Sequence, residues 1–138
     1  MLRIETKARA RALQLLYAWE LQAGPSLPVI ATGLARLSRC PDLDVLERAE
    51  RLAAGVVTRL AALDRHAAEA AENWRLSRIA TVERNILRLG ILELERADVP
   101  PKVAIDEAVR LAHWFAGARA PAFVNGVLDR IAHSLGRL

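Results

Sequence analysis

Cysteine is almost missing from this chain: Cys40 is the only one, so no intramolecular disulfide can form and no cysteine cluster is available to a metal. A reducing cytosol is the compartment this implies. Aromatic residues make up 4% of the 138 positions, and no stretch alternates apolar with polar residues for long enough to build a sheet. Long apolar runs are lacking too. No segment reaches the length of a membrane span, and the charged opening MLRIETKARARALQLLYAWE has no uninterrupted apolar centre of the kind a signal peptide needs. The expectation is a soluble, cytoplasmic, all-helical protein with no membrane association.

Catalytic fingerprints are absent as well. The chain holds no Gly-rich phosphate loop, HExxH pair, GxSxG elbow or dinucleotide fingerprint. His66, His113 and His133 fall on separate predicted helices without cysteines or patterned acids around them, which argues against a metal. Asp106 and Glu107 are neighbours in sequence and so point to different sides of a helix, unsuited to paired-carboxylate chemistry. The sequence therefore reads as a non-enzyme with no cofactor and no metal site.

What is present is alanine, leucine and arginine, with a net charge of +4 and a pI near 10.2 that suits a polyanionic partner. The charge is unevenly spread. Residues 24–74 hold six basic and seven acidic side chains, whereas residues 75–138 hold ten against seven and residues 1–23 four against two. The basic excess lies at the two ends, which would make one basic surface if the ends met.

Periodicity and breakers divide the chain into about seven helices. The first is expected over 3–22, with Ala8, Ala12, Leu15, Leu16 and Trp19 inward and Arg3, Lys7, Arg11 and Gln14 on the opposite, displayed face. A short helix near 28–38 follows, then one long helix or two, with Gly55 or Leu63-Asp64 as break points. The most apolar helix, over 78–97, has Thr81, Arg84, Arg88 and Glu95 as its polar sector and two acids, Glu83 and Glu93, on its apolar side. A carboxylate so placed must be paired, protonated or turned to a partner. A helix over 103–116 is given the inner face Ile105, Ala108, Val109, Ala112 and Phe115, with Gly117 as its C-terminal stop. The last begins near Pro121 and buries Val124, Val127, Leu128, Ile131 and Leu135.

Two surfaces offer binding chemistry. Lys7, Arg11 and Gln14 stand at i, i+4 and i+7, a spacing that can follow a phosphate backbone while the amide reads a base; an ordinary solvated face would look the same. Phe123, Asn125 and Arg130 bring a ring, an amide and a guanidinium to one helix start, the groups that hold single-stranded RNA. The alternatives are a core role for Phe123, a capping bond for Asn125 and close helix packing at Gly126.

The blocks KARARALQLLYAWELQAG, VERNILRLGILELERADVPPKVAIDEAVRLAHWFAG and FVNGVLDRI, in this order and spacing, closely resemble the NusB family of bacterial transcription antitermination factors. The resemblance implies one domain over residues 1–138, built as two small helical bundles packed together, with subdomains of approximately 1–75 and 76–138. It implies binding of boxA-type RNA, usually with the ribosomal protein NusE, inside an RNA polymerase antitermination complex that serves ribosomal RNA operons. It carries Lys7, Arg9 and Arg11 over as backbone contacts, Gln14 as their neighbour and Phe123 as the stacking ring. Tyr17 and Glu83 fall in the NusE-facing or interface-supporting set. The loop AGARAP departs from the family's usual acid and polar residues, and its Arg119 adds positive charge beside Phe123 as a further RNA contact. The alternative is a helical protein-interaction adaptor with weak or no RNA binding, and self-association as a homodimer is left open.

Overall fold

Pro28, Pro101 and Pro121 each stand in the first turn of a helix, where proline has no N–H to lose. The computed structural model describes residues 2–22, 26–38, 42–71 and 79–138. Among them run seven helices, α1 (Ile4–Leu21), α2 (Leu27–Ser38), α3 (Leu43–Thr58), α4 (Leu60–Ala70), α5 (Thr81–Arg96), α6 (Pro101–Phe115) and α7 (Ala120–Ser134), with no strand. Cys40, the joint at 23–25 and the stretch 72–78, where the sequence ends one helix and starts the next, lie outside the described residues.

The chain divides into two compact units, Met1–Thr58 and Arg59–Leu138. The join falls earlier than the subdivision near residue 75 drawn from sequence, because α4 packs against α5 and α7.

In the first unit α1 lies along α3, with α2 against both. Val45, Ala49, Ala53 and Val56 give α3 a buried stripe at helical spacing. Its start is capped by Asp42, whose Oδ1 accepts the backbone N–H groups of Asp44 at 3.0 Å and Val45 at 3.4 Å. The helix stops at neither Gly55 nor Leu63-Asp64. Thr58 Oγ1 donates back to the Ala54 carbonyl at 2.8 Å, a bond that bends helices, and Arg59 leaves helical geometry at φ −106° and ψ 18°.

In the second unit α5 is the centre, packed by α4, α6 and α7, and every residue from Asn85 to Leu94 is buried. Gly90 lets the neighbours come close, since a Cβ there would stand 2.7 Å from Leu128 Cδ1 and 3.5 Å from Ala108 Cβ. Arg88, assigned to the polar sector, is buried instead, and its guanidinium is held by Asp64 and by the Asn85 side-chain oxygen. Glu93 is also buried and partnered. Ala97 ends α5 in the left-handed region at φ 56° and ψ 28°, donating its N–H to the Glu93 carbonyl.

Helix α6 buries Ala104, Ile105, Ala108, Leu111 and Ala112. Val109 is only half-buried and Phe115 is exposed, so the inner face is turned toward Leu111 from the one expected. Gly117 is not a left-handed stop, because the helix leaves through an extended Ala116, and positive φ occurs among the described residues only at Ala97 and Gly136. The α7 stripe Val124, Val127, Leu128 and Ile131 is buried as its spacing predicts, with Leu135 half-buried at the end.

Candidate nucleic-acid interface

Helix α1 presents one narrow stripe. Arg3, Lys7, Gln14, Tyr17 and Leu21 are exposed along it, at spacings that keep them on one side of the helix. The stripe is cationic toward the N-terminus and apolar toward the C-terminus. Arg9 and Arg11, expected beside Lys7, are only 7% and 8% exposed and both have partners. The reason is that α1 is covered nearly all round: Thr6 and Leu13 are buried together with Ala8, Ala12, Leu15 and Leu16. Glu5, in the first turn, approaches Arg48 of α3 at 4.0 Å.

The second unit carries a cleft of about 470 Å³ at the start of α7. One wall is the beginning of α5, with Ile79, Ala80 and Glu83. The other is the α6–α7 joint and the first turn of α7, with Gly117, Ala118, Arg119, Ala120 and Phe123. Buried Ala120 and Val124 seat that turn, which leaves Phe123 half-buried at the cleft and Arg119 exposed. Glu83 is half-buried in the first turn of α5, where the helix dipole favours a carboxylate. The arrangement sets a ring against apolar walls, with one cation and one anion at its edge. Such a cleft can take a flat, partly apolar group bearing negative charge.

The remaining residues of this helix start behave differently. Asn125 is exposed and does not line the cleft. Around Gly126 a Cβ would meet nothing within 4 Å, so this glycine does not serve close helix packing. Arg130 is exposed, but its Nε donates to the Ala70 carbonyl at 2.8 Å and closes the C-terminus of α4, a structural bond that its position in sequence does not reveal.

A second charged cluster is structural. Arg59 Nε and Nη2 each reach Glu95 at 2.9 Å, and His66 Nε2 lies 3.4 Å from the same carboxylate. The hydrogen bond from Arg59, helped by its charge, holds the Glu95 carboxyl below the usual carboxylate range, and Glu95 raises Arg59 in turn. No group of three His, Cys, Asp or Glu side chains suited to a metal occurs among the described residues. No described helix is long and apolar enough to cross a membrane.

The family model for NusB matches residues 6–133. The chain belongs to the NusB family. A transcription antitermination protein NusB of Sorangium cellulosum is 44% identical over 131 residues, covering 94% of this chain and 92% of the relative. Among solved structures, a T. maritima NusB aligns with TM-score 0.84 at 32% identity, covering 96% and 93% of the two chains. A chain from a crystal structure of the antitermination factors NusB and NusE with double-stranded RNA aligns with TM-score 0.85 at 28% identity, covering 97% and 99%.

Within this NusB-family chain, the structure brings Glu83, Arg119 and Phe123 to one cleft and sets Lys7, Gln14 and Tyr17 along one stripe of α1. Arg9, Arg11 and Arg130 are drawn into structural contacts. The sequence reading missed the cleft's far wall, Ile79 and Ala80, because which helix start faces the α6–α7 joint depends on packing between distant segments.

Proposed function

We propose that this chain is a bacterial transcription antitermination factor that binds boxA-type single-stranded RNA together with the ribosomal protein NusE and supports processive transcription of ribosomal RNA operons. Family membership and the named activity of its relatives support this reading, and the aligned complex of NusB and NusE with double-stranded RNA supports RNA and NusE as partners. The observation that carries it is the cleft where Phe123 and Arg119 stand together. A base stacks on the Phe123 ring, and Arg119 meets an adjacent phosphate. Lys7 contributes a backbone contact from α1, with Gln14 and Asn125 as amides for base edges. Tyr17 and Glu83 face NusE, the exposed Leu21 extending the apolar end of the α1 stripe. The protein works by binding rather than by catalysis, in the cytoplasm where RNA is transcribed, as one domain of two subdomains.

The burial of Arg9 and Arg11 favours a second reading, a protein adaptor with little RNA affinity of its own, because two cations fewer are offered to phosphate. Fluorescence anisotropy separates the two. A labelled boxA-type RNA is titrated with this protein alone and with equimolar NusE, at two salt concentrations, beside scrambled and duplex RNA. Selective, salt-sensitive binding that strengthens with NusE is the expected outcome. Binding to NusE without selective RNA binding in either condition would leave the adaptor.

A further inference from the structure

Near the C-terminus of α6 stand two aromatic rings that the core does not use. Trp114 is 44% and Phe115 43% exposed, although α6 already buries Ala104, Ile105, Ala108, Leu111 and Ala112. The rings are ordered against one another, edge to face at 90° with centroids 6.3 Å apart. Arg110, one turn earlier, sets its guanidinium 5.8 Å from the Trp114 ring centroid, within cation–π range. Glu107 lies 3.5 Å from Arg110 Nε and steadies it from the next turn back. Trp114 is therefore a large flat surface held in position while nearly half open to solvent.

The surrounding charge says what such a surface would accept. Between Glu107 and Asp129 the sequence has no acid, while Arg110, His113 and Arg119 are all exposed. Rings interleaved with cations are the chemistry of single-stranded nucleic acid, even with Glu107 beside Arg110: bases stack on the rings, and the guanidinium groups meet phosphate. The place is next to the cleft along the chain: Phe115 is followed, one residue on, by Gly117, Ala118 and Arg119, which line that cleft with Phe123.

We propose that Arg110, Trp114 and Phe115 form a second stacking station that holds single-stranded nucleotides flanking the segment bound at Phe123. The proposal rests on the RNA-binding reading above and extends it: the RNA track is longer than the element bound at the cleft. Its flanking part is held by stacking and phosphate contact, without base selectivity.

The test is anisotropy, with NusE present, on a boxA-type RNA and on the same RNA lengthened at its 5′ or 3′ end by about six unstructured nucleotides. One lengthened RNA is expected to bind about 5- to 100-fold tighter than the short one. Trp114→Ala should abolish that gain and leave the short RNA's affinity unchanged, while Trp114→Phe keeps most of it. Arg110→Ala should lower the salt slope for the long RNA by about one unit. Thermal melting of each variant checks that the fold is intact; if Trp114→Ala does not fold, the Phe and Arg110 variants decide. If the short RNA binds but lengthening gives no gain, or the gain survives Trp114→Ala, the station is overturned and the RNA-binding reading stands. A short RNA that does not bind overturns both. Weaker NusE binding by Trp114→Ala without RNA would make the rings a protein contact and overturn the station as well.

Discussion

Arg88 of α5 grips Asp64 of α4 with two parallel hydrogen bonds, Nε to Oδ1 at 2.7 Å and Nη2 to Oδ2 at 2.9 Å. Its remaining arm, Nη1, donates to Asn85 Oδ1 at 2.9 Å, so a buried guanidinium is satisfied on three sides. Asp64→Ala removes the anion and leaves the cation buried, a change that costs about 3 kcal/mol. Urea unfolding should show that loss. Replacing both partners, Asp64→Leu with Arg88→Met, should recover only part of it, because the pair's desolvation is removed but the buried Asn85 Oδ1 loses its donor.

Acid should weaken the α4–α5 contact through Glu95. Its folded carboxyl is held low by the Arg59 hydrogen bond, so the stabilisation is fully present above the ordinary carboxylate range and is lost as pH falls through the lower, folded value. Denaturation midpoints followed from neutral to acid pH should decline in the wild type. Glu95→Gln should have a flatter acid limb, and added salt should narrow the difference because Arg59 is exposed.

Ala97 occupies the left-handed region that L-residues avoid. Ala97→Gly keeps the C-terminal hydrogen bond to Glu93 and relieves the Cβ, so it should stabilise the protein by about 1 kcal/mol, seen as a higher melting temperature. A lower melting temperature would mean that the unfolded chain's added freedom dominates.

Gly126 and Phe123 discriminate packing from binding. Gly126→Ala enters open space inside a helix and should raise stability by about 1 kcal/mol, while lowering RNA affinity if a ligand lies against that turn. Phe123→Ala should weaken RNA binding by about 1–3 kcal/mol. Its effect on melting should be small, since the ring is only half-buried. A large fall in melting temperature with unchanged affinity would assign the ring to the core.

Lys7 and Arg11 should separate in the same way. Lys7→Ala is expected to reduce the slope of log affinity against log salt by about one unit at unchanged stability. Arg11→Ala is expected to lower stability and leave the slope, because that guanidinium is covered and partnered.

Much of the fold was written locally. The α7 stripe, the proline-marked starts of α6 and α7 and the apolar weight of α5 all follow from spacing along one helix. What failed depended on another helix. Arg11 sits at a polar wheel position, yet α1 is covered on nearly every side, and a wheel shows only its own helix. Gly126 and Gly90 look alike in sequence, but only Gly90 faces a neighbour, Leu128, and no local rule separates them. The break at Arg59 fell between the two places offered, Gly55 and Leu63-Asp64, because no glycine or proline marks it; a threonine hydroxyl bonding backward stands there instead. At the candidate site, Phe123 and Arg119 were legible as chemistry; their meeting with Glu83 in one cleft was not.

The boundary at Arg59 also sets an order of assembly. Helices α1, α2 and α3 find partners among themselves, so the N-terminal unit has its packing partners as soon as residue 58 leaves the ribosome. The C-terminal unit has no such early closure. Helices α4, α5 and α6 all pack on α7, so the apolar surface each of them gives to α7 stays uncovered until it is made. During synthesis, the C-terminal unit is the one exposed to aggregation and to chaperone capture.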